Sequence, residues 1–212
     1  MKTIKLFLTV CLLAAVTSAS AQFANGGGSK STVYKNTDSY NRVWFGYLPM
    51  SMTFSYSGYS SSESLSAVAF GYTRGISVMD TQPLFVEVGG NLGYGFKSIE
   101  GASLNLMAIQ VPVNLTYKFS FGNGDFSLAP YFGLNFRANL FGSISMGNES
   151  VNIFDKDIMG NDAFKRFQMG WQLGVGLNYK RFYFGVGYGT DFMEICENTK
   201  LGTATIAVGI NF

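Results

Sequence analysis

The sequence LGTATIAVGINF, residues 201–212, alternates between two kinds of side chain without a break. In a β-strand, successive side chains point to opposite faces, so this alternation predicts a strand with two different environments. One face carries Gly202, Ala204, Ile206, Val208, Ile210 and Phe212. The other carries Leu201, Thr203, Thr205, Ala207, Gly209 and Asn211. An apolar face that ends on an aromatic ring is typical of a membrane-spanning strand whose last ring lies at the membrane–water boundary.

Seven further segments upstream have a similar strand-like pattern. With residues 200–212 they give eight predicted strands, at 42–56, 64–79, 83–97, 102–121, 126–142, 164–180, 182–193 and 200–212. The second and third, the fourth and fifth, and the sixth and seventh meet at tight turns, whereas longer polar segments join the others, the longest at 143–163. Outer-membrane barrels have short periplasmic turns and long external loops. The sequence therefore predicts an all-β, eight-stranded antiparallel up-and-down transmembrane barrel with both ends on the periplasmic side.

Side-chain size predicts which face of the sheet contacts lipid. In the sixth strand, Trp171 and Tyr179 share one face, and Gly174 and Gly176 lie on the other. The interior of an eight-stranded barrel is only just wide enough for its side chains, so the large residues are expected to point outward. Aromatic residues near the strand ends would form two girdles at the membrane interfaces. These residues are Tyr94, Phe96, Tyr117, Phe119, Trp171, Tyr179, Phe182 and Phe212.

Polar and charged residues on the small-residue face are predicted to lie in the barrel lumen. They are Glu87, Gln110, Asn114, Lys118, Asn135, Arg137, Gln172 and Asp191. A charge inside a narrow barrel is costly unless it is paired. Two interpretations are open: a structural salt-bridge network that fills the lumen, or the selectivity element of a narrow pore or small-ligand site.

The amino terminus has the features of a cleavable secretory signal peptide. Lys2 and Lys5 precede an apolar run at 6–16, and the residues 19–21 (ASA) form a small-residue cleavage site. We predict a signal peptide at 1–21, a flexible polar leader at 22–41 and the barrel at 42–212. After cleavage, Cys196 is the remaining cysteine, so an internal disulfide is not expected.

Composition excludes several classes of function. Without the two lysines of the signal peptide, basic and acidic residues balance, and no basic stripe indicates a nucleic-acid partner. The sequence contains no histidine, which excludes Ser-His-Asp catalysis and histidine metal ligands. Asp155, Asp157 and Asp162 loosely resemble a calcium loop but lack its full ligand series, so no metal or cofactor is predicted. The protein is not expected to be an enzyme.

Taken together, these features resemble the small outer-membrane β-barrel domain family of Gram-negative bacteria, of the OmpA/OmpX-like type. The resemblance rests on the signal peptide, on residues 109–119 (IQVPVNLTYKF), on the Gly-aromatic strands at 164–193 and on Phe212. It covers nearly all of the predicted mature chain, and no peptidoglycan-binding domain is expected after the barrel.

The resemblance implies a location in the outer membrane, contacts with lipid and lipopolysaccharide, and insertion by the barrel-assembly machinery, which would read residues 201–212. It implies a structural or surface-interaction role with a side-chain-filled lumen. A narrow, porin-like channel or transporter for small or hydrophobic molecules is the alternative, and a lipid-modifying enzyme is a third hypothesis. The family has no shared catalytic motif, so the surface ligand stays open.

Overall fold

A computed structural model describes residues 37–56, 59–99, 101–121, 124–147 and 149–212. The predicted signal peptide and most of the predicted leader lie outside the described residues. In the described part of the chain, no helix is both long enough and apolar enough to cross a membrane.

The described residues form eleven strands and one short helix. The strands are β1 (Tyr40–Tyr47), β2 (Met50–Tyr56), β3 (Tyr59–Ser77), β4 (Leu84–Ile99), β5 (Ala102–Tyr117), β6 (Phe119–Phe121), β7 (Phe126–Met146), β8 (Glu149–Asn152), β9 (Phe167–Tyr179), β10 (Phe182–Asp191) and β11 (Thr199–Asn211). Helix α1 (Lys156–Met159) and a 3₁₀ turn (Gly160–Asp162) lie between β8 and β9. The first strand begins at Tyr40, two residues before the predicted start of the barrel.

Antiparallel pairing closes these strands into a ring. The order is β1/β2, β3, β4, β5, β7, β9, β10 and β11, and β11 returns to pair with β1 and β2. β1 and β2 form one wall strand, because Leu48 and Ala67 exchange backbone hydrogen bonds of 2.7 and 3.1 Å across the gap between them. The predicted eight-stranded antiparallel barrel is therefore confirmed. Closure pairs backbone groups that an open sheet edge would leave unsatisfied in lipid.

The two ends of the barrel differ. At one end, the turn end, the chain turns at 78–83 and at 180–181, and Asn41 and Phe212 exchange two backbone hydrogen bonds of 2.9 Å. At the opposite end, the mouth, β7 continues into a hairpin with β8, and residues 153–166 and 192–198 connect the strands.

The prediction of long polar connections after the first and third strands is wrong. Pairing continues to Tyr56 opposite Tyr59 and to Ile99 opposite Ala102, so these connections are tight. The serine-rich residues 60–62 belong to β3 and are exposed. A hairpin that extends into solvent needs no apolar face, and its strands therefore lack the alternation used to recognise the others.

The two faces of the barrel wall differ in side-chain size in the predicted way. Outward side chains are large and apolar: Phe132 is 59 % exposed and Val208 is 55 % exposed. Inward positions are buried and mostly small or polar, as at Asn178 and Gly174. The apolar surface of the barrel is thus on its outside, where lipid would cover it.

Candidate functional site in the barrel lumen

The lumen near the turn end contains a cluster of charged and aromatic side chains. Arg42 Nη2 lies 3.2 Å from Glu87 Oε1, and both side chains are almost fully buried. The Tyr40 hydroxyl donates a hydrogen bond to the Glu87 carboxylate. The Arg42 guanidinium lies 3.6 Å from the centre of the Tyr183 ring, and Lys118 Nζ lies 3.5 Å from the centre of the Tyr40 ring. Each buried cation therefore has a carboxylate or an aromatic face as its neighbour, which offsets the cost of burial.

Amide groups occupy the middle of the lumen. Gln172 Nε2 donates to Asn114 Oδ1 at 2.7 Å, and Trp44 Nε1 donates to Thr73 Oγ1 at 3.2 Å. Gln110 is also buried there. The first bond spans β7, because β5 and β9 are the two neighbours of β7 in the ring, and the second joins the adjacent strands β1 and β3.

A second ion pair lies nearer the mouth. Arg137 Nη2 contacts Asp191 Oδ2, with side-chain exposures of 2 and 8 %. Arg137 on β7 is the register partner of Gln168 on β9, which is fully buried. Arg137 Nε, both amide atoms of Gln168 and Asn139 Oδ1 have no hydrogen-bond partner among the described residues. The Asn135 Oδ1 atom is also buried without such a partner.

The structure thus places all eight residues of the predicted lumen set inside the barrel. It brings them into separate groups: Glu87 and Lys118 at the turn end, and the Asn114–Gln172 pair in the middle. Arg137 and Asp191 form the pair nearer the mouth.

Several lumen residues are absent from the predicted set, among them Tyr40, Arg42, Trp44 and Tyr131. Trp44 and Tyr131 were missed because large side chains were expected to face lipid. Tyr40 and Arg42 were missed because they lie at the predicted boundary between the leader and the barrel. The glycines that lie opposite these aromatic rings are the sequence feature that could have indicated that the rings point inward. A Cβ atom added at Gly187 would collide with the Tyr131 hydroxyl.

Lumen glycines make room for inward-pointing rings. A Cβ atom at Gly176 would lie 2.6 Å from Tyr183 Cε2, and one at Gly185 would collide with the same ring. In the same way, a Cβ atom at Gly174 or at Gly187 would collide with the Tyr131 hydroxyl. Each of the two tyrosines therefore lies against a pair of glycines on β9 and β10.

The mouth is filled by apolar side chains rather than polar ones. The buried cluster there comprises Leu48, Met50, Met52, Leu65, Ala67, Ala69, Ile195, Cys196 and Leu201. Ile195 and Cys196 come from residues 192–198, the connection between β10 and β11, which folds inward over the barrel. Ile153, from the connection between β8 and β9, is also fully buried, and its backbone N–H donates to the Gly142 carbonyl at 3.2 Å.

The space left inside the lumen is small. One cavity of about 70 Å³ lies between the Arg42–Glu87 pair and the amides of the middle layer. Another, of about 30 Å³, is lined by Leu48, Gln110, Asn135 and Asp191. Cavities of this size hold a few water molecules at most.

The predicted girdle residues lie on the outer surface of the barrel. Tyr117, Phe119 and Tyr179 are near the turn end, as are Phe182 and Phe212, which are 65 and 66 % exposed. Tyr94, Phe96 and Trp171 are in the mouth-side halves of β4 and β9. The arrangement gives aromatic residues at both ends of the apolar wall.

One aspartate of the long connection has a structural role. Asp155 caps α1, since its carboxylate accepts a hydrogen bond of 3.0 Å from the Asp157 backbone N–H. Among the described residues, no group of three or more Cys, Asp or Glu side chains is arranged to hold a metal ion.

Comparisons with known proteins agree with this architecture. The fold is similar to that of Ail, the attachment invasion locus protein of Yersinia pestis, crystallised with the heparin analogue sucrose octasulfate: 14% identity, a TM-score of 0.50, and coverage of 82% of this chain and 99% of Ail. Neisserial surface protein A (NspA) is 16% identical over 81% of this chain and 97% of its own, with a TM-score of 0.47. The outer membrane enzyme PagL is 13% identical over 77% of this chain and 98% of its own, with a TM-score of 0.46. At 14% identity, the similarity to Ail shows the fold alone.

The sequence has no significant match among curated proteins. A family model described as the outer membrane protein beta-barrel domain matches residues 81–193, which is more than half of the chain. Membership of this family supports an outer-membrane location. The chain therefore belongs to the outer membrane protein beta-barrel domain family.

Proposed function

We propose that this protein is a non-enzymatic outer-membrane barrel whose wall is structural and whose interactions take place at the mouth. The observation that carries the proposal is the filled lumen. Rings from Tyr40, Trp44, Tyr131 and Tyr183 and two buried ion pairs occupy the interior, and an apolar cluster closes the mouth. A barrel without an open bore offers its surfaces for contact.

The outer wall supports a role as an integral membrane protein. Its exposed apolar side chains match lipid, and the aromatic girdles fit the two membrane interfaces. In this proposal the turn end faces the periplasm and the mouth faces outward, towards lipopolysaccharide. Residues 1–21 would direct export, and β11 (Thr199–Asn211) would present the alternating pattern that the barrel-assembly machinery reads.

The charge at the mouth distinguishes the proposed surface from one that binds sulfated sugars. Ail was crystallised with a heparin analogue, a polyanion. In this chain, acidic residues outnumber basic ones in residues 147–166 and again in residues 192–200. The excess is one acidic residue in each segment, so the surface has no basic character to attract a polyanion, and we propose a partner that is neutral or basic.

Single-channel recording in planar bilayers tests the filled lumen. We expect no stepwise conductance from the wild-type protein, because the cavities are small and an apolar cluster closes the mouth. Arg137→Ala should also be silent and should lose only stability, whereas the exposed Lys156→Ala serves as a matched control with neither effect.

A narrow channel is the second candidate, favoured by the buried charges and the cavity of about 70 Å³ along the lumen. Reproducible conductance steps in the wild type, altered by Arg137→Ala and unchanged by Lys156→Ala, would support the channel and contradict the structural proposal.

A further inference from the structure

We infer that the barrel wall has a lateral entry point for small, neutral molecules that dissolve in the bilayer and donate a hydrogen bond. It lies between β4 and β5, where the register sets Gly89 and Gly90 opposite Pro112 and Val111, and it leads to the cavity of about 70 Å³. The inference goes beyond the proposed surface role, because it assigns a route and a ligand class to the wall and the lumen.

The backbone ladder between β4 and β5 is interrupted at this place. Five residue pairs precede the break and end with Val88 opposite Val113, and nine pairs follow it and begin with Asn91 opposite Gln110. The register is the same on both sides, so the break is not a β-bulge. Proline has no N–H to donate to a ladder, and within sheets it is normally confined to edge strands and bulges. Pro112 lies at neither, and its missing N–H accounts for the break.

Side chains on the outer surface do not close the break. Gly90 points outward, and a Cβ atom added there would meet no atom within 4 Å. Cross-strand side-chain pairs stabilise a sheet, and a glycine forms no such pair with Val111. The other proline at an interruption of the wall, Pro49 between β1 and β2, is held differently, because the Ala204 N–H donates to its carbonyl at 2.9 Å. The break between β4 and β5 is therefore the weaker of the two.

The break lies within the membrane-spanning part of the wall. Along the two strands it falls between Tyr117 near the turn end and Tyr94 on the mouth side, which belong to the two aromatic girdles. The outward neighbours Val88 and Leu92 are apolar and are 38 and 50 % exposed. A molecule that reaches the break from outside must therefore dissolve in hydrocarbon, and this requirement excludes ions.

The cavity of about 70 Å³ lies behind the break. Its lining includes Asn91 of β4 and Gln110, Pro112 and Asn114 of β5, which flank the break on both sides. Asn91 is 8 % exposed, and its Oδ1 atom has no hydrogen-bond partner among the described residues. Buried polar atoms in native proteins are nearly always satisfied, so this oxygen is suited to a donor that enters the cavity.

The charge and size of the cavity restrict the ligand further. Arg42 and Glu87 are the charged residues in its lining, and they neutralise each other at 3.2 Å. An ion added there would be buried without a partner. The volume admits only a few non-hydrogen atoms. A short alcohol meets these requirements, because it is neutral, crosses hydrocarbon and can donate its hydroxyl to Asn91 Oδ1.

Quenching of Trp44 fluorescence measures entry, because Trp44 lines the cavity. The experiment uses the full chain with Cys11→Ser, Cys196→Ala and Trp171→Phe, folded in lipid vesicles, so that Trp44 is the remaining tryptophan. The quenchers are 2-iodoethanol, iodoethane and iodide, which share the heavy atom and differ in charge and in the hydroxyl donor. We expect saturable quenching by 2-iodoethanol, non-saturable quenching by iodoethane and none by iodide.

A disulfide across the break tests the route. Gly90→Cys together with Val111→Cys places two outward thiols at opposed positions, and their oxidation should abolish the rapid onset of quenching by 2-iodoethanol. Reduction of the disulfide should restore it. The matched control is Val186→Cys together with Ile206→Cys, an outward pair on β10 and β11, whose oxidation should leave the onset unchanged.

Two single variants separate the route from the binding site. Pro112→Val supplies the missing N–H without a covalent link and should slow the onset of quenching about fivefold, the equivalent of one net backbone hydrogen bond. Asn91→Leu removes the acceptor and should abolish saturation by 2-iodoethanol, while the gel mobility of the unboiled protein stays that of the folded barrel.

Four results would overturn the inference. One is the absence of quenching by 2-iodoethanol. Another is an equal effect of the two disulfides on the onset, which would place entry at an end of the barrel. Quenching by iodide as strong as that by 2-iodoethanol would show a route through water. Saturable quenching by iodoethane, or by 2-iodoethanol in Asn91→Leu, would remove the requirement for a donor.

Discussion

The buried pair of Arg137 and Asp191 gives the sharpest test of how the lumen is held together. Both side chains are more than nine-tenths buried, and they contact each other directly. Arg137→Met leaves the Asp191 carboxylate in the lumen without its cation, and breaking a buried pair in this way costs about 3–5 kcal/mol. Replacing both partners, with Arg137→Met and Asp191→Leu together, removes the uncompensated charge and should bring the stability back to within about 1 kcal/mol of the wild type.

The assay is urea unfolding of the barrel folded in lipid vesicles, followed by tryptophan fluorescence. Trp44 lies inside the lumen and reports on the interior. The comparison pair is Lys97 and Glu63 in the exposed hairpins, where Lys97→Met should cost no more than about 1 kcal/mol. The reasoning fails if Arg137→Met costs no more than Lys97→Met, or if the losses of the two single variants simply add in the double variant.

Three other predictions concern the wall and the rings. Gly176→Ala places a methyl group 2.6 Å from the Tyr183 ring and should lower the free energy of unfolding in urea by about 1–3 kcal/mol. The control is Gly90→Ala, which has no atom within 4 Å of the new methyl group and should leave the stability unchanged. Equal losses of stability in the two variants would contradict the packing account. Ile206→Arg, on the outer face midway along β11, should cost about 2–4 kcal/mol of folding stability in lipid. Thr205→Asn, beside it in the lumen, should cost less. If Thr205→Asn cost more, the assignment of the lipid face and the lumen face would have to be exchanged. Unboiled protein refolded in detergent should migrate differently from boiled protein on a gel and give a strong β signal by circular dichroism; an unchanged mobility would argue against a closed barrel.

The regular part of the wall was predictable from the sequence. β9 and β10 alternate glycine with aromatic or aliphatic residues, and their observed bounds differ from the predicted ones by no more than a few residues. The β2–β3 hairpin was predicted less well, because residues 60–62 are three serines that satisfy a solvent-exposed strand as readily as a loop.

The contents of the lumen were predictable only for polar residues. Charged side chains such as Glu87 and Arg137 can be assigned to the lumen because a charge on the lipid face would destabilise the barrel. An aromatic ring fits either face, so Trp44 and Tyr131 could not be assigned from residue type alone. The inward fold of residues 192–198 has no periodic signal, since Ile195 and Cys196 are two apolar residues between glutamates.

The paired arrangement of two tyrosines and their facing glycines has a consequence for engineering. Beside β9 and β10, the width of the lumen is limited by these two rings and not by the backbone, because the glycines against which each ring packs carry no side chain. Shortening Tyr131 and Tyr183 would widen the lumen along those glycines with the strand register intact, while the two ion pairs and the apolar cluster at the mouth would remain. The interior can in this sense be reshaped locally by side chains at two positions, without any change in the number or pairing of the strands.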